Sequence, residues 1–137
     1  MSGPCLNHPS IILNVGHPDD DGLFPPGLCE GYPATLLNAC SGEEAISLCK
    51  MNLSVSLVLL RPELSGLNGF DTAARIRQAR PTITIIMIAG NLSLSALRLA
   101  TLVGCNEIIS QPVSAYEIMA LCRKYVKEGV AVQGDEK

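Results

Sequence analysis

VSLVLLRPELSGLNGFD, residues 55–71, contains the strongest structural signal in the chain. Five of the six residues at 55–60 are apolar and two are β-branched, a composition typical of a strand buried on both faces. A loop with one proline and two glycines follows, and a helical pattern begins at Phe70. In a parallel α/β sheet, ligands bind at the carboxyl ends of central strands. Arg61, which lies at that end, is therefore the first candidate for a functional residue.

Length, composition and charge predict a single domain that binds neither nucleic acid nor a membrane. The chain has 137 residues, 47% hydrophobic and 17% charged, so we expect a core over about 10–127 with tails at 1–9 and 128–137. The net charge of −3 is too small for a nucleic-acid or anionic-membrane partner. The one basic cluster, at Arg75, Arg77 and Arg80, is interpreted as a solvated helix face. Neither a signal peptide nor a membrane span is evident, which predicts a cytoplasmic protein.

The cysteines show no metal-binding or disulfide pattern. None of the six forms a C-x-x-C pair, and most lie in apolar segments, so we expect buried, reduced thiols. His8 and His17 are too scattered to complete a zinc site, and no metal or cofactor is predicted. The cysteines are Cys5, Cys29, Cys40, Cys49, Cys105 and Cys122.

Strand and helix signals alternate along the chain. Strands are predicted at 10–15, 34–40, 55–60, 82–88 and 107–110. Helices are predicted at about 42–51 and 114–127, each after a capping box, at 70–79, and at 92–103 with Asn91 as its cap and Gly104 after its end. Residues 19–31 hold two prolines and three glycines, so any helix there must be short or irregular.

This alternation predicts an α/β fold, a flavodoxin-like three-layer sandwich with a five-stranded parallel sheet and helices on both faces. The expected strand order is 2-1-3-4-5, which puts a cleft beyond the carboxyl ends of the first and third strands. Gly16, His17 and Arg61 should meet in that cleft.

The segments LVLLRPELSGLNGFD, ITIIMIAGN and GCNEIISQP resemble the receiver domain of two-component response regulators, and the resemblance covers roughly Ile11 to Val126. In receivers the third strand ends in the phosphoacceptor aspartate, and a glycine follows eight residues later. Gly69 matches that glycine, so the resemblance puts Arg61 at the acceptor position.

Each other functional position of the family also carries a different residue here. The resemblance puts Gly16 and His17 at the acidic pair that holds Mg²⁺, Ala89 at the hydroxyl residue, Gln111 at the lysine and Ile108 at the switch aromatic. An aspartyl phosphate requires a carboxylate nucleophile and a hard cation, and a guanidinium stays protonated and repels Mg²⁺. The resemblance therefore implies a degenerate pseudo-receiver without catalytic activity.

Two features of the cleft stay open at this point. Asp19, Asp20 and Asp21 could restore a carboxylate pair for a metal, although they would not supply an acceptor. A buried Arg61 must find acceptors, so we expect an ion pair with Asp19, Asp20 or Glu63, or a cage of strand-end carbonyls. The alternative is that Arg61 points into solvent.

Three functions follow from these residues. The first is a phosphorylation-independent protein-interaction module in phosphorelay signalling. The second is an unorthodox receiver that is still phosphorylated, and the third is a small-anion-binding domain that uses Arg61.

The helix at 92–103, LSLSALRLATLV, is apolar nearly all round, which is unusual for a helix packed on one side of a sheet. Leu97, Ala100 and Val103 have the spacing of a core face. We expect the outer residues, with the fifth strand and last helix, to bind a protein partner or a second copy. The predicted surface comprises Leu92, Leu99, Leu102, Ile108, Tyr116 and Met119.

Overall fold

The structure is a computed structural model that describes residues 10–16, 34–64, 66–90, 92–111 and 115–127. Within these ranges five parallel strands form one sheet in the order β2-β1-β3-β4-β5. The predicted fold class and strand order are therefore confirmed. The strands are β1 (Ser10–Val15), β2 (Ala34–Ala39), β3 (Val55–Leu60), β4 (Thr84–Ala89) and β5 (Glu107–Ser110).

The helices of the described ranges connect or follow these strands. They are α1 (Gly42–Met51), α2 (Gly69–Ala79), α3 (Leu94–Val103) and α4 (Ala115–Cys122), which continues into a π-helical turn at Arg123–Lys127. None of them is long and apolar enough to cross a membrane. The predicted irregular segment 19–31, the tails 1–9 and 128–137, and the predicted cap Ser114 lie outside the described residues.

Two hydrophobic clusters cover the two faces of the sheet. One lies between the sheet and helices α1 and α2, with Ala45, Cys49, Ala73 and Ile76 as helix contributions. The other lies against α4 and centres on Ile118. Because β3 is buried on both faces, its apolar run contributes to both clusters.

The caps of the helices agree with the sequence in most places. Ser41 caps α1 by accepting a hydrogen bond from the Glu44 backbone N–H at 3.1 Å. Gly104 ends α3 in the left-handed conformation, with φ of 93°. The predicted start of α3 was wrong, because the helix begins at Leu94 and Ser93 is its cap, accepting from the Ala96 N–H at 3.0 Å.

The start of β4 also differs from the prediction. The chain after α2 is still in a turn at Ile83, whose N–H donates to the Arg80 carbonyl at 3.2 Å. The strand therefore begins at Thr84, two residues later than expected, and extends to Ala89.

The interpretation of the basic cluster as a solvated face was wrong for two of its three arginines. Arg77 donates to the carbonyls of Gly104, Pro81 and Ile83 and to Asn106 Oδ1. Arg80 donates to the carbonyls of Cys49, Asn52, Leu53 and Val55. These guanidinium groups connect the amino-terminal ends of the strands to the helix ends, and of the three arginines only Arg75 is exposed.

Candidate functional site at the carboxyl ends of the strands

The carboxyl ends of β1, β3, β4 and β5 meet at one edge of the sheet. Gly16 follows β1, and its N–H donates to the Ala39 carbonyl at 3.1 Å. Gln111 follows β5, and its N–H donates to the Ala89 carbonyl at 2.8 Å. The structure therefore places four of the five predicted pocket residues at this edge, with Arg61 after β3, whereas His17 lies outside the described residues.

Arg61 is buried between β1 and β3, with 4% of its surface exposed. Its Nη1 donates to the Val15 carbonyl at 3.1 Å and to Asn14 Oδ1 at 2.5 Å. Burial of a guanidinium costs free energy unless acceptors replace the lost water, and these two oxygens do so in part. Arg61 does not point into solvent, and it joins the end of β3 to the end of β1.

Asn14 is a site residue that the sequence did not reveal. It pairs in register with Asn38 of β2, and its Nδ2 donates to Asn38 Oδ1 at 3.0 Å. A polar chain from Asn38 through Asn14 to Arg61 therefore crosses three neighbouring strands. The only sequence signal is a polar residue within the apolar strand SIILNV, and that signal does not identify its partners.

The loop after β3 folds back closely onto the strand end. The Gly69 N–H donates to the Pro62 carbonyl at 2.9 Å. A Cβ atom at Gly69 would lie 2.0 Å from the Arg61 carbonyl oxygen, a separation that no side chain can adopt. Gly69 is thus required for the loop that holds the Arg61 backbone in place.

The sequence predicted three carboxylates as partners of Arg61, namely Asp19, Asp20 and Glu63. Glu63 is exposed on the loop after β3. Asp19 and Asp20 lie outside the described residues, so an ion pair with either one stays a prediction.

The described residues of the cleft do not fit a divalent cation. Mg²⁺ prefers carboxylate, phosphate and water oxygens in an octahedral arrangement. Gly16 and Ala89 offer no side-chain ligand, and the buried Arg61 places a fixed positive charge at the strand end. Within the described ranges no group of three or more His, Cys, Asp or Glu residues could hold a metal ion.

The thiols of the described residues differ in exposure. Burial raises the pKa of Cys49 and that of Cys105 to about 11, so both thiols stay protonated and unreactive at neutral pH. Cys40 is exposed, contrary to the expectation of buried thiols.

The predicted partner surface is exposed at most of its positions. Leu92, Leu99, Leu102 and Tyr116 are exposed, with Leu102 at 80% and Tyr116 at 84%. Ile108 is half-buried and packs against the cluster below α1 and α2, so it contributes less than expected. The side chain of Met119 lies outside the description.

The core face of α3 is narrower than the sequence indicated. Ala100 is buried and Val103 packs on the core, but Leu97 is 38% exposed, so its assignment to the core was wrong. Leu94 is also exposed, although it was not predicted. Leu97, Arg98, Thr101 and Leu102 line an open pocket of about 410 Å³. We refer to α3, β5 and α4 together as the α3 face.

A charged cluster stabilises the start of β5. Glu107 accepts hydrogen bonds from the Tyr125 hydroxyl and from Lys124 Nζ, the latter at 3.1 Å. The hydrogen bond from Tyr125, and then the Lys124 ammonium, lower the pKa of Glu107. The π-helical turn after α4 is the element that carries both donors.

Comparison with known proteins agrees with this geometry. Residues 29–123 match the response regulator receiver domain, so the chain belongs to that family. The matched region begins after β1.

A relative and two solved structures are similar over most of the chain. The Transcriptional activator protein ExaE of Pseudomonas putida is 26% identical over 133 residues, a match that covers 93% of this chain and 58% of that protein. This chain therefore spans little more than half the length of that relative.

A CheY-like receiver domain from Methanospirillum hungatei has a TM-score of 0.73 at 21% identity, covering 87% of this chain and 94% of that one. A receiver domain from Clostridium thermocellum has a TM-score of 0.76 at 21% identity, covering 90% and 98%. Both share the fold.

Proposed function

We propose that this receiver domain works in two-component signalling without an acyl phosphate, as a protein-interaction module and not as an enzyme. The observation that carries the proposal is the buried Arg61, whose Nη1 donates to Val15 and Asn14 where the family has its phosphoacceptor aspartate. A guanidinium has no lone pair available for attack on a phosphoryl group at any physiological pH.

The charge of Arg61 also replaces what a metal would supply to the cleft. In a phosphorylated receiver, a cation at the strand ends offsets the negative charge of the phosphoryl group. Here the positive charge belongs to Arg61, the residue that follows β3, and it donates a hydrogen bond to the Val15 carbonyl of β1. Arg61 thereby keeps the cleft in a single state in which the ends of β1 and β3 are joined. The partner-binding surface of the domain is then exposed without phosphorylation.

The surface that would bind a partner is the α3 face. Its exposed leucines and Tyr116 form the kind of apolar, aromatic surface that is enriched in protein interfaces. Arg77 and Arg80 donate hydrogen bonds to backbone carbonyls of this chain, and the net charge is negative. We therefore expect the partner to be a protein, either a different one or a second copy, and not nucleic acid, although the relative ExaE is by name a transcriptional activator.

Incubation with acetyl phosphate and Mg²⁺, followed by intact-mass measurement at neutral pH, tests the first part of the proposal. We expect no phosphoryl adduct, while a receiver with an acceptor aspartate is modified in parallel. An adduct that hydroxylamine removes would identify an acyl phosphate and would support the unorthodox phosphorylated receiver instead.

Sedimentation of the wild type and of a Leu99→Glu, Leu102→Glu double variant tests the second part. We expect the double variant to lose a self-associated species or the capacity to retain a partner protein. Thr35→Glu, which places a charge at an exposed position on β2, at the opposite edge of the sheet from β5, should change neither. If wild type and double variant are both monomers and retain any partner equally, the α3 face is not an interface.

A further inference from the structure

We infer that the groove between α1 and α2 is a second docking site, which takes an acidic amphipathic helix of a partner protein. The groove has a volume of about 600 Å³ and is lined by Ile46, Lys50, Arg75, Gln78 and Ala79. It is separate from the α3 face, and it goes beyond the function proposed above.

The packing of the two helices explains where the groove lies. At their amino-terminal ends α1 and α2 touch, and a Cβ atom at Gly42 would lie 2.0 Å from Thr72 Oγ1. Beyond this contact the small side chain of Ala79 and the half-buried Ile46 leave room between the helices. The groove therefore opens toward the carboxyl-terminal ends of both helices.

Arg80 holds the walls of the groove in position. Its Nη1 donates to the Cys49 carbonyl at 3.0 Å and its Nη2 to the Val55 carbonyl at 2.9 Å. These bonds join the residue after α2 to the last turn of α1 and to the start of β3. A groove that is already formed loses little conformational entropy when it binds a ligand.

The charges of the groove determine which ligand fits it. Lys50 and Arg75 are exposed at its rim, and none of the described residues that line it is acidic. In the described part of the chain neither cation takes part in a hydrogen bond or ion pair. The acidic residues of the two helices lie in their first turns and bond there to the loops: Glu43 to Leu67, Glu44 to Cys40 and Asp71 to Asn68. A ligand with carboxylates would therefore complement the rim.

The apolar part of the groove indicates an amphipathic helix as the form of that ligand. Ile46 and Ala79 provide an apolar base. Met51 and Leu53, which follow Lys50 in the chain, are also exposed, at 80% and 76%. A helix that lies in a groove uses apolar residues at i, i+3 or i+4 for contact and can carry charges along its flanks. Leucines facing the base and Asp or Glu residues facing Lys50 and Arg75 would satisfy both features.

Selection of a phage-displayed library of helical peptides on the full 137-residue chain tests the inference. We expect enriched peptides with acidic residues flanking apolar ones at helical spacing. Their affinity should fall at least about tenfold for Lys50→Glu, Arg75→Glu, because two attractions at the rim become repulsions. The Leu99→Glu, Leu102→Glu variant should bind them as the wild type does. Both charge-reversed positions are exposed, so a thermal melt should show that this variant is folded.

A charge-swapped peptide gives an independent check of the same contact. With lysines in place of its acidic residues, the selected peptide should bind the charge-reversed variant better than the wild type. The inference is overturned if no acidic peptide is enriched, if the charge-reversed variant binds equally well, or if binding depends on the α3 face. It is also overturned if phosphatidylserine vesicles bind through Lys50 and Arg75 while no peptide is enriched, since the ligand would then be a lipid surface.

Discussion

Arg61, at the end of β3, donates a hydrogen bond to Asn14 of β1 and so joins two neighbouring strands. A charge directly after an apolar strand is visible in the sequence, and the rule that ligands gather at strand ends made Arg61 a candidate. Asn14 was missed because one polar residue in a strand does not indicate its neighbours. Only the pairing of β1 with β2 and β3 brings Asn38, Asn14 and Arg61 together, and that register is set by the folded sheet.

Arg61→Ala should lower the stability of the domain by about 2–4 kcal/mol. The substitution removes the donor to Asn14 Oδ1 and to the Val15 carbonyl, and it leaves both oxygens in a site that excludes water. Urea denaturation monitored by circular dichroism measures the change. Glu63→Ala, two residues away but exposed, should change stability by less than about 0.5 kcal/mol. An unchanged melting temperature for Arg61→Ala would contradict the bridging role of Arg61.

At the scale of elements, the sequence predicted most strands and helices because their apolar patterns are local. The boundaries of β1, β3 and β5 agree with the prediction. The roles of Arg77 and Arg80 could not be predicted, because their acceptors are carbonyls far away in the chain, such as Gly104 and Val55. The start of α3 was misplaced because Asn91 and Ser93 are both good cap residues, and a local pattern does not choose between them.

Gly69→Ala should destabilise the domain by at least about 2 kcal/mol. The new methyl group would meet the backbone of Arg61, which cannot move without displacing the end of β3. Gly90→Ala is the matched control at the same edge of the sheet, because its methyl group would lie 3.6 Å from Gln111 Oε1, an ordinary contact. Equal melting temperatures for the two variants would show that the loop after β3 can relax away from the strand.

Glu107→Gln should reduce stability at neutral pH by a small amount that disappears in acid. The pKa of Glu107 is lowered in the folded state, first by Tyr125 and then by Lys124. Its carboxylate therefore stabilises the fold above the pKa of the unfolded chain, and this contribution is lost as the pH falls through the folded pKa. Thermal melts of wild type and variant across this acidic range measure the difference. A difference in melting temperature that stays constant with pH would mean that the charge of Glu107 does not contribute to stability.

At the scale of the whole molecule, the alternation of strand and helix patterns in the sequence predicted the fold. The same patterns predicted only part of the exposed apolar surface. The exposure of Leu102 and Tyr116 was predicted. The exposure of Leu97 was not, because α3 packs on the sheet mainly through Ala100 and Val103. The groove between α1 and α2 was not predicted at all. It depends on the close approach of Gly42 to Thr72, which no property of either helix alone indicates.

In this domain the cation of the cleft is the Arg61 side chain itself. The most direct test is an amide NMR spectrum of the protein recorded before and after addition of Mg²⁺ and beryllofluoride, a mimic of the phosphoryl group. We predict that the amides of Gly16, Arg61, Ala89 and Gln111 do not shift, because the guanidinium already bridges β1 and β3 and no acceptor carboxylate is present at position 61. Saturable shifts at these amides that require both Mg²⁺ and beryllofluoride would contradict it.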